Sequence, residues 1–244
     1  MSFRLQSTFL TTHLASWGFV VMSPDYFERG LQSLGGTPPA LPRTASQVTD
    51  LAMTAMTDLS TTGSLADRVD LQFRDYRDVE GKYDHIVSIE MIDHLCSPAQ
   101  ANQGMAVEIY REYFKKCASW VKPGSYFGFQ AILRNRVPRV RQDIADLKFT
   151  ADVIFPGGLN PRLEELIQAV NPYWEVVELK TRRTDYGKTT AEWLRRMRLQ
   201  EKTIRAKWGD QVFDDYDRYL STCVRGFANP WSSDVQMKLR HIDV

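Results

Sequence analysis

Two acidic clusters carry the chemistry that this sequence offers most directly. Arg74-Asp75-Tyr76-Arg77-Asp78 closes one expected strand, and Glu90-Met91-Ile92-Asp93-His94 closes the next. In open α/β sheets, ligands bind in the crevice beyond the carboxyl ends of the strands. Both clusters sit at such ends, so Asp75 and the Glu90/Asp93 pair are placed to face one crevice. Asp75, Asp78 and Asp84 also fit as turn formers and helix caps, and that reading stays open. His94 follows Asp93, but the spacing of the four histidines suggests no metal-ligand set. Cys96 has no base placed beside it by the sequence and reads as a small buried thiol.

The elements that position these groups follow from periodicity. Val69–Phe73 alternates and predicts a strand ending at Asp75, and 85–89 predicts a buried strand ending at Glu90. Met105, Ile109, Tyr113, Cys117 and Trp120 fall near helical spacing over 104–120. Lys122-Pro123-Gly124 is a turn, and 125–132 an aromatic-rich strand. A helix over 161–170, a strand over 174–179 and a long basic helix over 189–208 complete the pattern. Upstream, a helix over 5–16 ends at Gly18, Phe19–Met22 is a short strand, Gly35-Gly36 and Pro38-Pro39 punctuate a loop, and 47–59 suits a helix. Alternating strands and helices predict an α/β fold with a mostly parallel sheet covered on both faces. The basic run at 195–207 reads as a solvated helix face.

Composition excludes several classes. With 43% hydrophobic and 25% charged residues over 244 positions, the chain is globular rather than disordered. A net charge of +1 gives no chain-wide footprint for nucleic acid or an anionic membrane. Three widely spaced cysteines without a C-x-x-C pair suit a reduced, cytoplasmic protein. The first residues lack a clean apolar signal-peptide core, and no stretch of about 18 apolar residues predicts a membrane span.

Five segments in one order resemble the cyclopropane-fatty-acid-synthase family of S-adenosylmethionine-dependent methyltransferases. They are LADRVDLQFRDYRDVEGKYDHIVSIEM, VKPGSYFGFQAI, VIFPGGLNPRLEELIQAV, DYGKTTAEWLRRM and YLSTCVRGFANPWSSDVQMKLR, covering about 64–241. The resemblance implies a Rossmann-like class I methyltransferase sheet with helical additions over the substrate pocket. It implies methyl transfer to an electron-rich carbon of a lipid or secondary metabolite, followed by loss of a proton. In many members a bound bicarbonate is the base, held by a glutamate, a histidine, a backbone position and a tyrosine. On this pattern Asp93 stands for the glutamate, Gln130 for the histidine, Ile132 for the backbone position and Tyr186 for the tyrosine. Asp75 and Tyr76 match the segment against the adenine, and Glu90 lies near the sulfonium. Tyr186 as a structural tyrosine at a strand end, and Gln130 as a satisfied buried amide, remain as alternatives.

The family's glycine-rich first turn, of the form VLDIGCGWG, has no counterpart in the chain. Matching SPDYFERG to the family's segment after the second strand makes 19–22 that second strand and leaves the sheet N-terminally incomplete. The edge of the lost first strand would then favour a homodimer. LASWGFVVMSPDY and TPPALPRTASQVTDL also resemble an α/β-hydrolase fragment, although no G-x-S-x-G elbow occurs. The expected division is an atypical segment over 1–63 and a methyltransferase-like domain over 64–244. The expected ligands are S-adenosylmethionine, bicarbonate and a small-molecule or lipid substrate, with no nucleic acid and at most peripheral membrane contact. A cofactor-free homologue with a binding or scaffold role is the alternative.

Overall fold

The computed structural model describes residues 20–22 and 74–243. The expected helices at 5–16 and 47–59, the loop between them, the strand at 69–73 and the boundary at 63/64 lie outside the described residues. Five strands form one sheet in the order β1-β2-β3-β5-β4, with β1 Val20–Met22, β2 Ile86–Ile89, β3 Tyr126–Arg134, β4 Trp174–Thr181 and β5 Ser232–His241. β1, β2 and β3 pair in parallel, whereas β5 runs antiparallel to both β3 and β4. Four strands thus share one direction, and the mostly parallel sheet holds except for β5. That reversed strand sets Gln236 opposite Gln130 and Asp234 opposite Ile132.

Val20–Met22 pairs directly with Ile86–Ser88, so this short strand covers that flank of β2. The segment before residue 64 also contributes to the same sheet as the rest.

The main core follows from alternation along the strands and an apolar stripe on α2 (Ala106–Ser119). Phe127, Phe129, Ala131 and Leu133 alternate on β3 and bury one face against Tyr110, Tyr113, Phe114 and Cys117. Tyr113 and Trp174 are the polar-tipped members, and both are satisfied. The Tyr113 hydroxyl bonds Ser88 Oγ at 2.7 Å, and the Trp174 indole donates to the Phe114 carbonyl at 3.0 Å. α4 (Leu163–Val170) covers the outside of α2, and a short α1 (Pro98–Asn102) precedes it, opened by a capping box between Ser97 and Gln100. Cys96 and Cys117 are buried in this core, and burial raises both thiols, as suits packing rather than nucleophilic residues.

A second apolar cluster caps the carboxyl end of the sheet. It joins α3 (Arg141–Phe149), a π-turn at Thr150–Ile154, α5 (Arg183–Leu199) and α7 (Asp210–Ala228) through Ile154, Leu194, Tyr219 and Leu220. The helix expected over 189–208 starts earlier and breaks at Gln200, where α6 (Glu201–Trp208) begins. Its arginines read correctly as a solvated face. Arg195 and Arg196 pair with Glu192, Arg198 with Asp217, and Arg205 with Glu201, Asp210 and Asp214.

Asp146 fastens α3 to α7. Its carboxylate accepts Arg218 Nε at 2.8 Å, Gln142 Nε2 at 3.0 Å and Arg225 Nη2 at 2.6 Å. Burial alone would raise its pKa, but the bonds from Arg218 and Gln142 and the two guanidiniums outweigh it, and the net shift is downward. Asp146→Ala is expected to cost about 1–3 kcal/mol at neutral pH. That is below the value for a fully buried pair, because Arg218 and Arg225 are 41% and 39% exposed and regain water. A lowered carboxyl pKa stabilises above the unfolded pKa and ceases to do so as acid protonates it. Urea unfolding should therefore show the wild-type advantage at pH 7 and none in strong acid.

Candidate active site

The site is built where β2 and β3 end. The Glu90 amide donates to the Gln130 carbonyl at 2.8 Å, which extends the β2–β3 ladder by one bond. Glu90 then turns with φ of 58°, the one non-glycine residue in the left-handed region among the described residues. Such a conformation costs a longer side chain on the order of 1 kcal/mol and tends to persist where function needs it. The turn brings the Glu90 carboxylate to two donors. The Tyr186 hydroxyl donates to Glu90 Oε1, and Gln130 Nε2 reaches the same oxygen at 3.4 Å. Gln236 Nε2 donates to Gln130 Oε1 at 3.1 Å, which fixes the orientation of that amide from β5.

Tyr186 lies in the first turn of α5, not at a strand end. A Cβ on the neighbouring Gly187 would meet Phe227 Cβ at 3.2 Å, so glycine there lets α5 sit close on α7. The Tyr186 ring packs against Trp193 and Phe227, at 6.0 and 5.2 Å between centroids.

Asp93 sits one short 3-10 turn beyond Glu90, and its Oδ2 accepts the Ile132 amide at 3.1 Å. Its own carbonyl accepts the Leu159 amide at 3.1 Å, and a Cβ at Gly158 would lie 3.2 Å from that carbonyl. The FPGG segment therefore closes against Asp93 from the far side. Asp234, opposite Ile132 on β5, is the third carboxylate and is 1% exposed. Asp93 Oδ1 and Asp234 Oδ1 are buried without a hydrogen-bond partner among the described residues.

Asp93 and Asp234 are buried and Glu90 is half-buried, and with only Arg182 offsetting the rise, at Asp234, the three carboxyls cannot all ionise readily. Burial raises Glu90, with the bonds from Tyr186 and Gln130 opposing it. Burial and then the charge of Glu90 raise Asp93 well above the usual range and push Asp234 up to about 7. Burial and the adjacent Glu90 likewise raise the Tyr186 phenol, so it stays a donor. Tyr219 and Cys223 on α7 also feel the charge of Glu90. Burial holds His94 down to about 3, which keeps it neutral beside Phe155.

Of the residues singled out from the sequence, Glu90, Asp93, Gln130, Ile132 and Tyr186 come together. Asp75 and Tyr76 form a separate group. Asp75 caps a 3-10 turn and spends both oxygens on Arg77, which holds its pKa at about 2. Tyr76 packs edge-on against Tyr113 at 5.4 Å and so joins the β2 side of the core. Glu90 was expected near a cofactor sulfonium, yet it is also the hub of the hydrogen bonds. Asp234 and Gln236 were not singled out, although Asp-Val-Gln-Met alternates as a strand with two polar residues on one face. Two shallow hollows, about 470 and 360 Å³, lie on α5–α7 and include none of these residues.

Residues 51–237 match the family described as mycolic acid cyclopropane synthetase. The chain belongs to that family. Its curated relatives include the tuberculostearic acid methyltransferase UfaA1 of Mycobacterium tuberculosis. It is 27% identical over 177 residues, covering 70% of this chain and 38% of that protein. The cyclopropane-fatty-acyl-phospholipid synthase of Escherichia coli K12 is 22% identical over 169 residues, covering 69% of this chain and 40% of that protein. The chain thus spans about two fifths of the length of these relatives. Among solved structures, the cyclopropane synthase MmaA2 from Mycobacterium tuberculosis superposes with a TM-score of 0.67 at 16% identity, over 95% of this chain and 83% of that one. The mycolic acid cyclopropane synthase CmaA1, complexed with SAH and CTAB, gives 0.64 at 15% identity, over 90% and 89%. These structural likenesses show the fold, that of an α/β methyltransferase sheet. No helix among the described residues is long and apolar enough to cross a membrane.

Proposed function

We propose that this cyclopropane synthetase family member is an S-adenosylmethionine-dependent C-methyltransferase acting on an unsaturated lipid chain or a similarly apolar substrate. The observation that carries the proposal is the Glu90–Asp93–Asp234 cluster, with Asp93 Oδ1 and Asp234 Oδ1 buried and unpaired and with Tyr186, itself packed on Trp193 and Phe227, bonded to Glu90. Buried, unpaired carboxylate oxygens and aromatic faces suit a cationic reacting group. They fit the sulfonium end of the cofactor and the carbocation that methylation of an alkene creates. The names of the relatives, among them a probable fatty acid methyltransferase of Pseudomonas putida, support a lipid substrate.

When bound, S-adenosylmethionine supplies an electrophilic methyl group. That methyl would pass to an alkene carbon of the substrate, with the C–S electron pair staying on sulfur and a cation developing on the neighbouring substrate carbon. The apolar cluster of α3, α5 and α7 excludes water that would quench this cation. Glu90 accepts the proton that the cation loses, which yields a cyclopropane or a methylated alkene. Tyr186 and Gln130 hold the Glu90 carboxylate in place, and Gln236 holds Gln130.

Bicarbonate does not fit this arrangement. The donors read as its ligands are engaged by the chain's own carboxylates: Ile132 by Asp93, and Tyr186 and Gln130 by Glu90. The mechanism therefore uses Glu90 and routes nothing through bicarbonate.

Calorimetric titration of the chain with S-adenosylhomocysteine is the test. Saturable micromolar binding is expected. Absence of heat at millimolar ligand would overturn the proposal and leave the cofactor-free homologue.

A further inference from the structure

The loop between β3 and α3 reads Asn135-Arg136-Val137-Pro138-Arg139-Val140-Arg141. Its exposure is unusual for its composition. Val137 is 73% exposed, Val140 60%, and Ile144 in the next turn 43%. Arg136, Arg139 and Arg141 are also exposed, and none takes part in an ion pair among the described residues. This contrasts with the arginines of α5 and α6, which are paired with carboxylates. The first acidic residue after the loop, Asp143, is engaged by Arg225 at 3.1 Å.

The loop is held firmly at its base. Pro138 is buried between the two exposed valines. The Asn135 amide donates to the Trp231 carbonyl at 2.7 Å, and Arg134 bonds the Asn160 carbonyl and Glu165. At the other end, Asp143 and Asp146 tie α3 to α7. A fixed tip with apolar residues between unpaired arginines is not an ordinary solvated surface. The position is also telling: Ile132 of the site lies two residues before Arg134, where β3 ends.

We propose that Arg136, Val137, Arg139, Val140, Arg141 and Ile144 form a docking surface for an anionic phospholipid bilayer. The arginines meet the headgroup charge and the valines enter the headgroup–acyl boundary. The net charge of the whole chain conceals the surface, because the remaining charges nearly cancel. The surface deepens the lipid reading of the active site, yet vesicle binding itself requires no methyl transfer.

The test is flotation of the full chain with phosphatidylcholine vesicles and with mixed phosphatidylcholine–phosphatidylglycerol vesicles. Wild type should float with the mixed vesicles, release in high salt, and bind the neutral ones at least tenfold more weakly. The R136Q/R139Q/R141Q variant should lose about a hundredfold in affinity for the mixed vesicles. V137S/V140S should lose several-fold, and both variants should keep the wild-type melting temperature. Unchanged flotation of R136Q/R139Q/R141Q, or equal binding of wild type to neutral vesicles, overturns the proposal. A lowered oligomeric mass of that variant by light scattering, with vesicle binding intact, would mean a self-interface instead and also overturns it. Wild-type chain that floats but transfers no methyl group would leave the surface standing and remove the enzymatic reading.

Discussion

Glu90→Gln is expected to lower methyl transfer by about 10²–10⁴-fold while leaving the fold and S-adenosylhomocysteine binding within a few-fold of wild type, the range by which a positioned general base accelerates proton removal. The substitution keeps the side-chain length, and it leaves the amide bond to the Gln130 carbonyl and the left-handed turn as they are. It removes the ability to take a proton together with the negative charge that raises Asp93 and Asp234. The assay is transfer of labelled methyl groups from S-adenosylmethionine to monounsaturated phospholipid, in parallel with calorimetry. Two companion results sharpen it. Tyr186→Phe should lose less, because it loosens Glu90 without removing the base. Wild-type activity should not respond to added bicarbonate. Near-normal turnover by Glu90→Gln would place the base elsewhere, and stimulation by bicarbonate would point to the exogenous anion.

The pH profile gives the same assignment a second handle. Burial raises Glu90, so the acid limb of kcat should lie above the ordinary carboxylate range. Activity should rise with pH as Glu90 loses its proton. The cluster titrates as a coupled group, so the limb belongs to the cluster rather than to one residue.

What the sequence disclosed of this site follows the range over which its signals act. The strand over 85–89 and the helix over 104–120 were legible because their apolar residues recur at the period of the element, and both are found within two residues of their expected ends. Glu90 and Asp93 were legible as a pair at a strand end. Their separate tasks were not, because the left-handed turn at Glu90 depends on the ladder bond to Gln130, forty residues away. Gln130 and Tyr186 came from resemblance alone, since one polar residue in an apolar strand and one tyrosine in a helix carry no periodic signal. Asp234 and Gln236 escaped notice because nothing local says that β5 inserts, reversed, between β3 and β4. α3 was missed for a related reason. Its one fully buried residue is not apolar but Asp146, whose burial becomes favourable only when α7 supplies Arg218 and Arg225. The break at Gln200 has no glycine or proline to announce it.

Asp234 is where the cost of this site should be measurable as stability. Burial and the charge of Glu90 push its carboxyl up to about 7, with Arg182 partly offsetting them. An unfolded aspartate titrates near 3.9, so between about pH 4 and pH 7 the folded chain binds a proton that the unfolded chain does not. Stability therefore falls as pH rises through that window and stays low above it. With Asp234 only 1% exposed, solvent screens little of the effect. Asp234→Asn keeps the shape and removes the charge. It is expected to gain about 2–4 kcal/mol at pH 8 and almost nothing at pH 4, as urea unfolding at the two pH values would show. Equal effects at both would mean that Asp234 ionises freely in the folded chain. The same substitution should lower the Asp93 carboxyl, which loses a like-charged neighbour. A cationic cofactor should act in the same direction, by adding positive charge to the little that Arg182 supplies. The three carboxyls are thus a destabilising arrangement in the free chain that a sulfonium would relieve, and the stabilisation conferred by S-adenosylmethionine should shrink once Asp234 is neutral.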